Sequence, residues 1–298
     1  MMRAVSTAAC SMKHLFGFGF GFGFGFGLAC LGALAHAEEA PAPEVARGDL
    51  PLWEAGVFGV GLSQLAYPGA DQQIKRALVL PYLVYRGKVL RADDEGAGLR
   101  AVRTEHFELD VSITGSFGNG SKPVAARQGM RRLGTLVEIG PVGRWFLNGR
   151  GARDRISLEL PVRGVFDAGD QLRRQGVSLE PELGLERRVK PGEWGYALSA
   201  GARFGDRRLG STFYEVLPGE ALPDRPAYAA RGGLITWRLN STVMRELTPE
   251  LRLVAFGRIE SVSGAANRAS PLVKQTVGYS YGIGLTYAFA RSGLRASD

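Results

Sequence analysis

The chain has few of the residues on which catalytic chemistry is usually built. Its 298 residues include two cysteines and three histidines. Cys10, Cys30, His14 and His36 all fall within the first 37 positions, and no acidic residue occurs before Glu38. Arg3 and Lys13 accompany an apolar run from Leu15 to Ala35, and Ala35-His36-Ala37 has the small-x-small form of a cleavage site. That layout is a secretory signal peptide over 1–37. The Phe-Gly alternation from Phe16 to Gly27 then serves as its apolar region. A disordered phenylalanine-glycine tract and a true strand are the competing readings, and both fit so short a run in this position less well. A lipid-anchored Cys30 is disfavoured by Gly27, where a large aliphatic residue belongs.

Without that segment the expected mature chain has no thiol and one imidazole, His106. Disulfides, thiolate metal sites and cysteine catalysis are thereby excluded. A Ser-His-Asp triad would have to use His106, whose plainer reading is a solvated turn residue at the start of a strand. Long apolar runs are missing too: nothing after residue 37 approaches the ~20 residues of a membrane helix. Gly59-Val60-Gly61 lacks the third glycine and the following helix of a dinucleotide site, so no cofactor is expected. The formal charge of +8 becomes +6 once Arg3 and Lys13 leave. That moderate basicity suits lipopolysaccharide or peptidoglycan surfaces rather than nucleic acid.

What the chain does have is alternation. In Gly278–Phe289, Tyr279, Tyr281, Ile283, Leu285, Tyr287 and Phe289 occupy one face, and Gly278, Ser280, Gly282, Gly284, Thr286 and Ala288 the other. Strand side chains alternate with period two, so this strand has one oily and one slim face, with aromatics at both ends of the oily one. Strands are predicted at 52–62, 78–86, 88–92, 99–102, 106–116, 135–148, 155–167, 177–188, 194–204, 231–245, 251–262 and 276–289. Phe107, Leu109, Val111 and Ile113 oppose Glu108, Asp110, Ser112 and Thr114, and Ile235, Trp237 and Leu239 oppose Thr236, Arg238 and Asn240. Strands one, two and eleven alternate less cleanly, and Pro81 denies strand two a ladder donor. Short and long connections succeed each other, as in a barrel with both termini at its short-turn end. The expected fold is all-β: a transmembrane, antiparallel, up-and-down β-barrel of about 12 strands. It spans 51–289, after a cleaved signal peptide (1–37) and a spacer (38–50) and before a tail (290–298).

Charges facing lipid at mid-depth cost roughly 2–4 kcal/mol, so the strand charges must point into the lumen. Glu138, Arg144, Glu159, Arg163, Glu180, Glu182, Arg203 and Arg238 are the expected lining. They make either a charge-lined conduit or a salt-bridge ladder that fills a small barrel. Tyr279, Tyr281, Tyr287 and Phe289 mark the closing strand, and Trp53, Trp145, Trp194 and Trp237 fit interfacial belts. Asp93-Asp94-Glu95 reads as a solvated hairpin tip rather than a Ca²⁺ site or an acid/base pair. Arg131-Arg132, with Arg127 and Lys122, is a candidate contact for lipopolysaccharide phosphate. The longest connection, Gly205–Ala230, is placed to fold over the mouth.

Several segments resemble the MipA/OmpV outer-membrane proteins. These are Val79-Leu80-Pro81-Tyr82-Leu83-Val84-Tyr85-Arg86-Gly87 with Leu90-Arg91-Ala92-Asp93, then Ala126-Arg127-Gln128-Gly129-Met130 and Leu136-Val137-Glu138-Ile139-Gly140-Pro141. Leu160-Pro161-Val162-Arg163, Arg225-Pro226-Ala227-Tyr228, Gly232-Gly233 and Ser270-Pro271-Leu272-Val273 follow, and the likeness runs in order from Trp53 to Phe289. It departs in the residues beyond Phe289 and in Ile283, where a polar residue is usual. The resemblance implies a barrel without catalytic residues. Such a barrel is a scaffold bringing a lytic transglycosylase and a bifunctional penicillin-binding protein together in murein metabolism, with lipid, lipopolysaccharide and the barrel-insertion machinery as further partners. Porin-like and adhesive roles are also ascribed to the family. The expectation is a non-enzymatic scaffold, with a narrow porin as the alternative.

Overall fold

The structure, a computed structural model, describes residues 51–86, 90–93, 96–116, 123–187 and 193–294. The expected signal peptide and spacer, Asp94, Glu95, Lys122 and residues 295–298 lie outside them. The strands are β1 (Trp53–Leu65), β2 (Gln73–Arg86), β3 (Leu90–Asp93), β4 (Gly96–Arg103), β5 (Phe107–Ser116), β6 (Leu136–Phe146) and β7 (Asp154–Asp167). They continue with β8 (Arg173–Leu179), β9 (Glu182–Arg187), β10 (Trp194–Gly205), β11 (Gly233–Glu246), β12 (Leu251–Ser261) and β13 (Val277–Arg291). Sequence neighbours pair antiparallel around the sheet, and β1 pairs with β13 from Glu54 opposite Arg291 to Ser63 opposite Tyr281. The sheet is therefore a closed barrel.

Thirteen segments make twelve staves. β8 and β9 both lie between β7 and β10, with Leu179 opposite Val162 and Glu182 opposite Glu159. The pairing offset is the same on both sides of the break. Pro181 and Pro161 have no N–H to give the ladder there, but their carbonyls accept from Ala202 and Glu180, both at 3.1 Å, so the register holds across the gap. The single strand expected over 177–188 is thus one stave that begins earlier, at Arg173. Strand two likewise begins at Gln73 rather than Leu78, and the closing strand runs two residues past Phe289.

The alternation of β13 is what the barrel wall requires. Its aromatics point outward, with Tyr279 60% and Phe289 64% exposed, while Gly278, Gly284 and Ala288 are buried. The slim face has a specific occupant. A Cβ on Gly284 would lie 2.7 Å from the Phe58 ring, and one on Gly282 would lie 2.3 Å from the Phe256 ring. Phe58, Val60 and Leu62 of β1 turn inward beside Tyr82 and Val84 of β2, with Val254 and Phe256 of β12 against them. This apolar lumen wall explains why those three strands alternate poorly. Around the outside, Trp53 pairs with Tyr85 at the short-turn end, and Phe107 with Trp145, their rings 5.1 Å apart. Trp237, Tyr279 and Tyr281 stand toward the other end. Tyr279 and Tyr287 are separated along the strand by ~26 Å, which matches the ~25 Å outer band of such barrels.

The long connections meet in a lid with its own dry core. Asp206 caps helix α1 (Arg207–Tyr214), its carboxylate accepting from the Leu209 N–H at 2.9 Å. Leu209, Phe213 and Tyr214 fall on one helix face and pack with Tyr67, Ile74, Val124, Leu133, Val216 and Leu272. Ile235, expected among the outward residues of β11, is instead 1% exposed. It is the extra residue of a bulge in β11, opposite Arg203 and Phe204 of β10, which takes it out of the alternation and under the lid.

Candidate functional site: the lumen and its lid

The eight expected lining residues share the barrel interior, arranged in two layers. In the layer under the lid, the Arg203 guanidinium reaches Glu138 at 2.5 Å and Glu180 at 3.0 Å. Arg238 lies 3.2 Å from Glu180 and 3.1 Å from Glu260, and Arg163 lies 3.9 Å from Glu180. Ser178 donates to Glu138 at 3.0 Å. Glu182 joins through Asn240, whose amide donates to it at 3.1 Å while accepting from Arg258 at 2.7 Å. Nearer the short-turn end, Arg144 lies 2.6 Å from Glu159 and 3.5 Å from Glu108, and Arg150 also pairs with Glu108. Arg155 reaches Glu186 at 2.7 Å and sits over the Phe146 ring.

Glu260, Arg258, Asn240, Glu108, Arg150 and Arg155 were absent from the expected lining. Glu108 and Asn240 lie on the polar faces of their strands, where the alternation places them. Arg258 and Glu260 follow the inward Val254 and Phe256 on β12, so the inner face of that strand changes from apolar to charged halfway along and shows no clean period. The network is chemically a matched ladder. Removing one member of such a buried pair strands the other charge, which is what makes the pairs mutually obligatory. Beneath the lid it leaves a cavity of about 120 Å³, lined by Glu138, Glu180, Arg203, Arg238, Arg258 and Glu260 together with Tyr67 and Phe213.

The lid is held by side chains that reach backbone carbonyls. Arg225, 5% exposed, donates to Ala126 at 3.1 Å, Gln128 at 2.9 Å and Glu220 at 2.7 Å. Arg127 donates to Phe213 at 2.8 Å, and Tyr67 donates to Leu272 at 2.8 Å. Tyr214 donates to Pro68 at 3.1 Å, and Ser270 donates to the Tyr214 carbonyl at 2.8 Å. Burial pushes the Tyr67 phenol up to about 12 and raises the Tyr214 phenol as well. Three separate motif segments, 126–130, 225–228 and 270–273, thus meet in one structure.

The remaining candidates fall elsewhere. Arg127, Arg131 and Arg132 line an outer cleft of the lid. His106 directs Nδ1 at the Phe146 carbonyl, 3.0 Å away at the short-turn end, which makes that nitrogen the donor. Of the acidic triplet, Asp93 ends β3 while Asp94 and Glu95 are outside the described residues.

A closed twelve-stave barrel with an apolar exterior, aromatic belts and a charged interior is an outer-membrane barrel. The model of the family described as MltA-interacting protein MipA matches residues 57–289, and the chain belongs to that family. No curated protein matches it. Among solved structures it is similar to an outer membrane channel from Pseudomonas putida F1, at 13% identity and a TM-score of 0.32. That likeness covers 83% of this chain and all of the other.

Proposed function

We propose that this barrel is a non-enzymatic scaffold of the outer membrane, which gathers murein-processing proteins at its periplasmic, short-turn end. The observation that carries the reading is how the interior is used: arginines and glutamates pair across the lumen beneath a lid with its own apolar core. An interior spent on stiffness leaves the ends of the barrel as the working surface. The family description names MltA as the partner, so a lytic transglycosylase is the first partner, and the resemblance adds a bifunctional penicillin-binding protein. The turns Thr104–His106, Leu147–Arg153 and Leu247–Glu250 offer little area, so binding is weak unless a partner embraces several at once. The test is crosslinking in envelope extracts. Recovery of a lytic transglycosylase on this chain, lost when those turns are exchanged, is the expected result, and its absence alongside robust conductance sinks the scaffold.

A narrow channel is the second reading, favoured by the charged cavity under the lid. It predicts planar-bilayer conductance whose ion selectivity changes in Arg163→Glu.

A further inference from the structure

On the outer face of the lid lies a cleft of about 500 Å³ in which arginines outnumber carboxylates. Arg127, Arg131 and Arg132 come to it from the β5–β6 connection, Arg173 and Arg174 from the start of β8, and Arg208 from helix α1. Four carboxylates lie among these six guanidiniums: Asp167, Glu215 and Glu220 in the cleft wall, and Asp170 beside it. Asp167 accepts the Gly169 N–H at 2.9 Å, and Glu220 accepts the Leu217 N–H at 3.1 Å. Arg131 and Arg173 share Asp170, at 2.5 and 2.6 Å, and Arg127 is committed to the Phe213 carbonyl. Arg132, Arg174 and Arg208 are exposed and have no ion-pair partner among the described residues. Gln175, buried in the cleft wall, accepts from Thr212 at 3.1 Å through its carbonyl oxygen.

From this geometry we infer that the cleft is a binding site for a phosphate-bearing ligand. Three segments far apart in sequence bring forked, permanently charged donors to one concavity. Guanidinium geometry matches phosphate oxygens two at a time, which an ammonium cannot do. The backbone carrying these arginines is held from opposite sides, by the cap of α1 and by the β7–β8 hairpin. The shared chemistry is a phosphate monoester or pyrophosphate, carried either by a glycolipid headgroup of the outer leaflet or by a soluble molecule. This site is at the opposite end of the barrel from the scaffold surface, and neither proposal depends on the other.

The experiment uses the full chain in detergent and three probes: inorganic pyrophosphate, lipopolysaccharide micelles, and the same lipopolysaccharide stripped of phosphate. Binding is measured at about 0.1 M salt, where exposed charges are only partly screened. The expected result is binding of pyrophosphate, of intact lipopolysaccharide or of both, weakened about tenfold or more in Arg174→Glu/Arg208→Glu, with no binding of the stripped form. Asp170→Asn, which frees Arg131 and Arg173, is expected to tighten binding about two- to threefold. Binding of lipopolysaccharide alone assigns the site to the lipid headgroup, and competition by pyrophosphate extends it to soluble phosphates. Unchanged heat-modifiable migration of the variants establishes that they are folded. Overturning results are failure of both phosphate-bearing probes to bind, retention of affinity in the double charge reversal, or equal binding of stripped lipopolysaccharide.

Discussion

The ladder and the lid are two ways of filling the same tube, and they differ in where their polar groups find partners. In the ladder, side chain meets side chain: Arg203 with Glu138 and Glu180, Arg144 with Glu159. In the lid, side chain meets backbone: Arg225 with three carbonyls, Tyr67 with one, Tyr214 with another. The cause is the secondary structure around each. Strands satisfy their own backbone in the sheet, so inward side chains must satisfy one another. Loops leave carbonyls unpaired, and burying them demands donors from elsewhere. The ladder is therefore vulnerable to loss of either partner. In the lid only the donor can be lost, because mutation does not remove a carbonyl.

The largest effect that tests this contrast is expected from Arg203→Ala, which leaves Glu138 and Glu180 facing each other without their shared cation. A loss of about 3–5 kcal/mol follows, read as a lowered urea midpoint for the folded, heat-modifiable form. Replacing Arg203 and Glu138 together with Met and Leu should cost less than Arg203→Ala alone. If the double change costs more, the pair does not act as a ladder rung. Leu209→Ala, in the apolar core of the lid, should cost about 2–5 kcal/mol and expose the lid to protease without altering the barrel midpoint. A shift of both together would mean that lid and barrel unfold as one. Gly284→Leu drives a side chain at the Phe58 ring, and overpacking of about 1–3 kcal/mol is expected.

The smallest effect concerns pH. Folded Tyr67 keeps its proton up to about 12, whereas an unfolded phenol ionises near ~10. Stabilisation of the lid is therefore complete below the lower value and declines as pH rises through that window. Protease sensitivity of the lid should increase there. Tyr67→Phe should flatten the increase while costing about 1 kcal/mol at neutral pH for the lost bond to Leu272. Tyr214, shifted the same way, keeps the variant from being fully insensitive.

The wall was legible in the sequence wherever its two faces differ in chemistry. β5, β7 and β13 announce themselves because oil faces lipid and charge or glycine faces inward. Where the lumen itself is apolar, at Phe58, Val60, Leu62, Val254 and Phe256, the contrast vanishes and the period with it. The lid has no strand period, and its short helix shows only Leu209, Phe213 and Tyr214 on one face. Only the length of the Gly205–Ala230 connection pointed to it, and nothing local marks Arg225 as a buried staple. Its role depends on the carbonyls of Ala126 and Gln128, 99 and 97 positions away. The arginine cleft was half visible for the same reason: Arg131 and Arg132 are adjacent in sequence, while Arg174 and Arg208 join them only through the fold.

The seam between β1 and β13 fixes an order of events during biogenesis. Glu54 finds its partner only at Arg291, so the cylinder has no complete wall until β1 and β13 meet. Until then the leading and trailing strands are open edges, ready to template pairing with any stray chain. Contacts so distant in sequence also form slowly. A chain lacking a single stave would keep two unpaired edges and remain an open sheet rather than a smaller barrel.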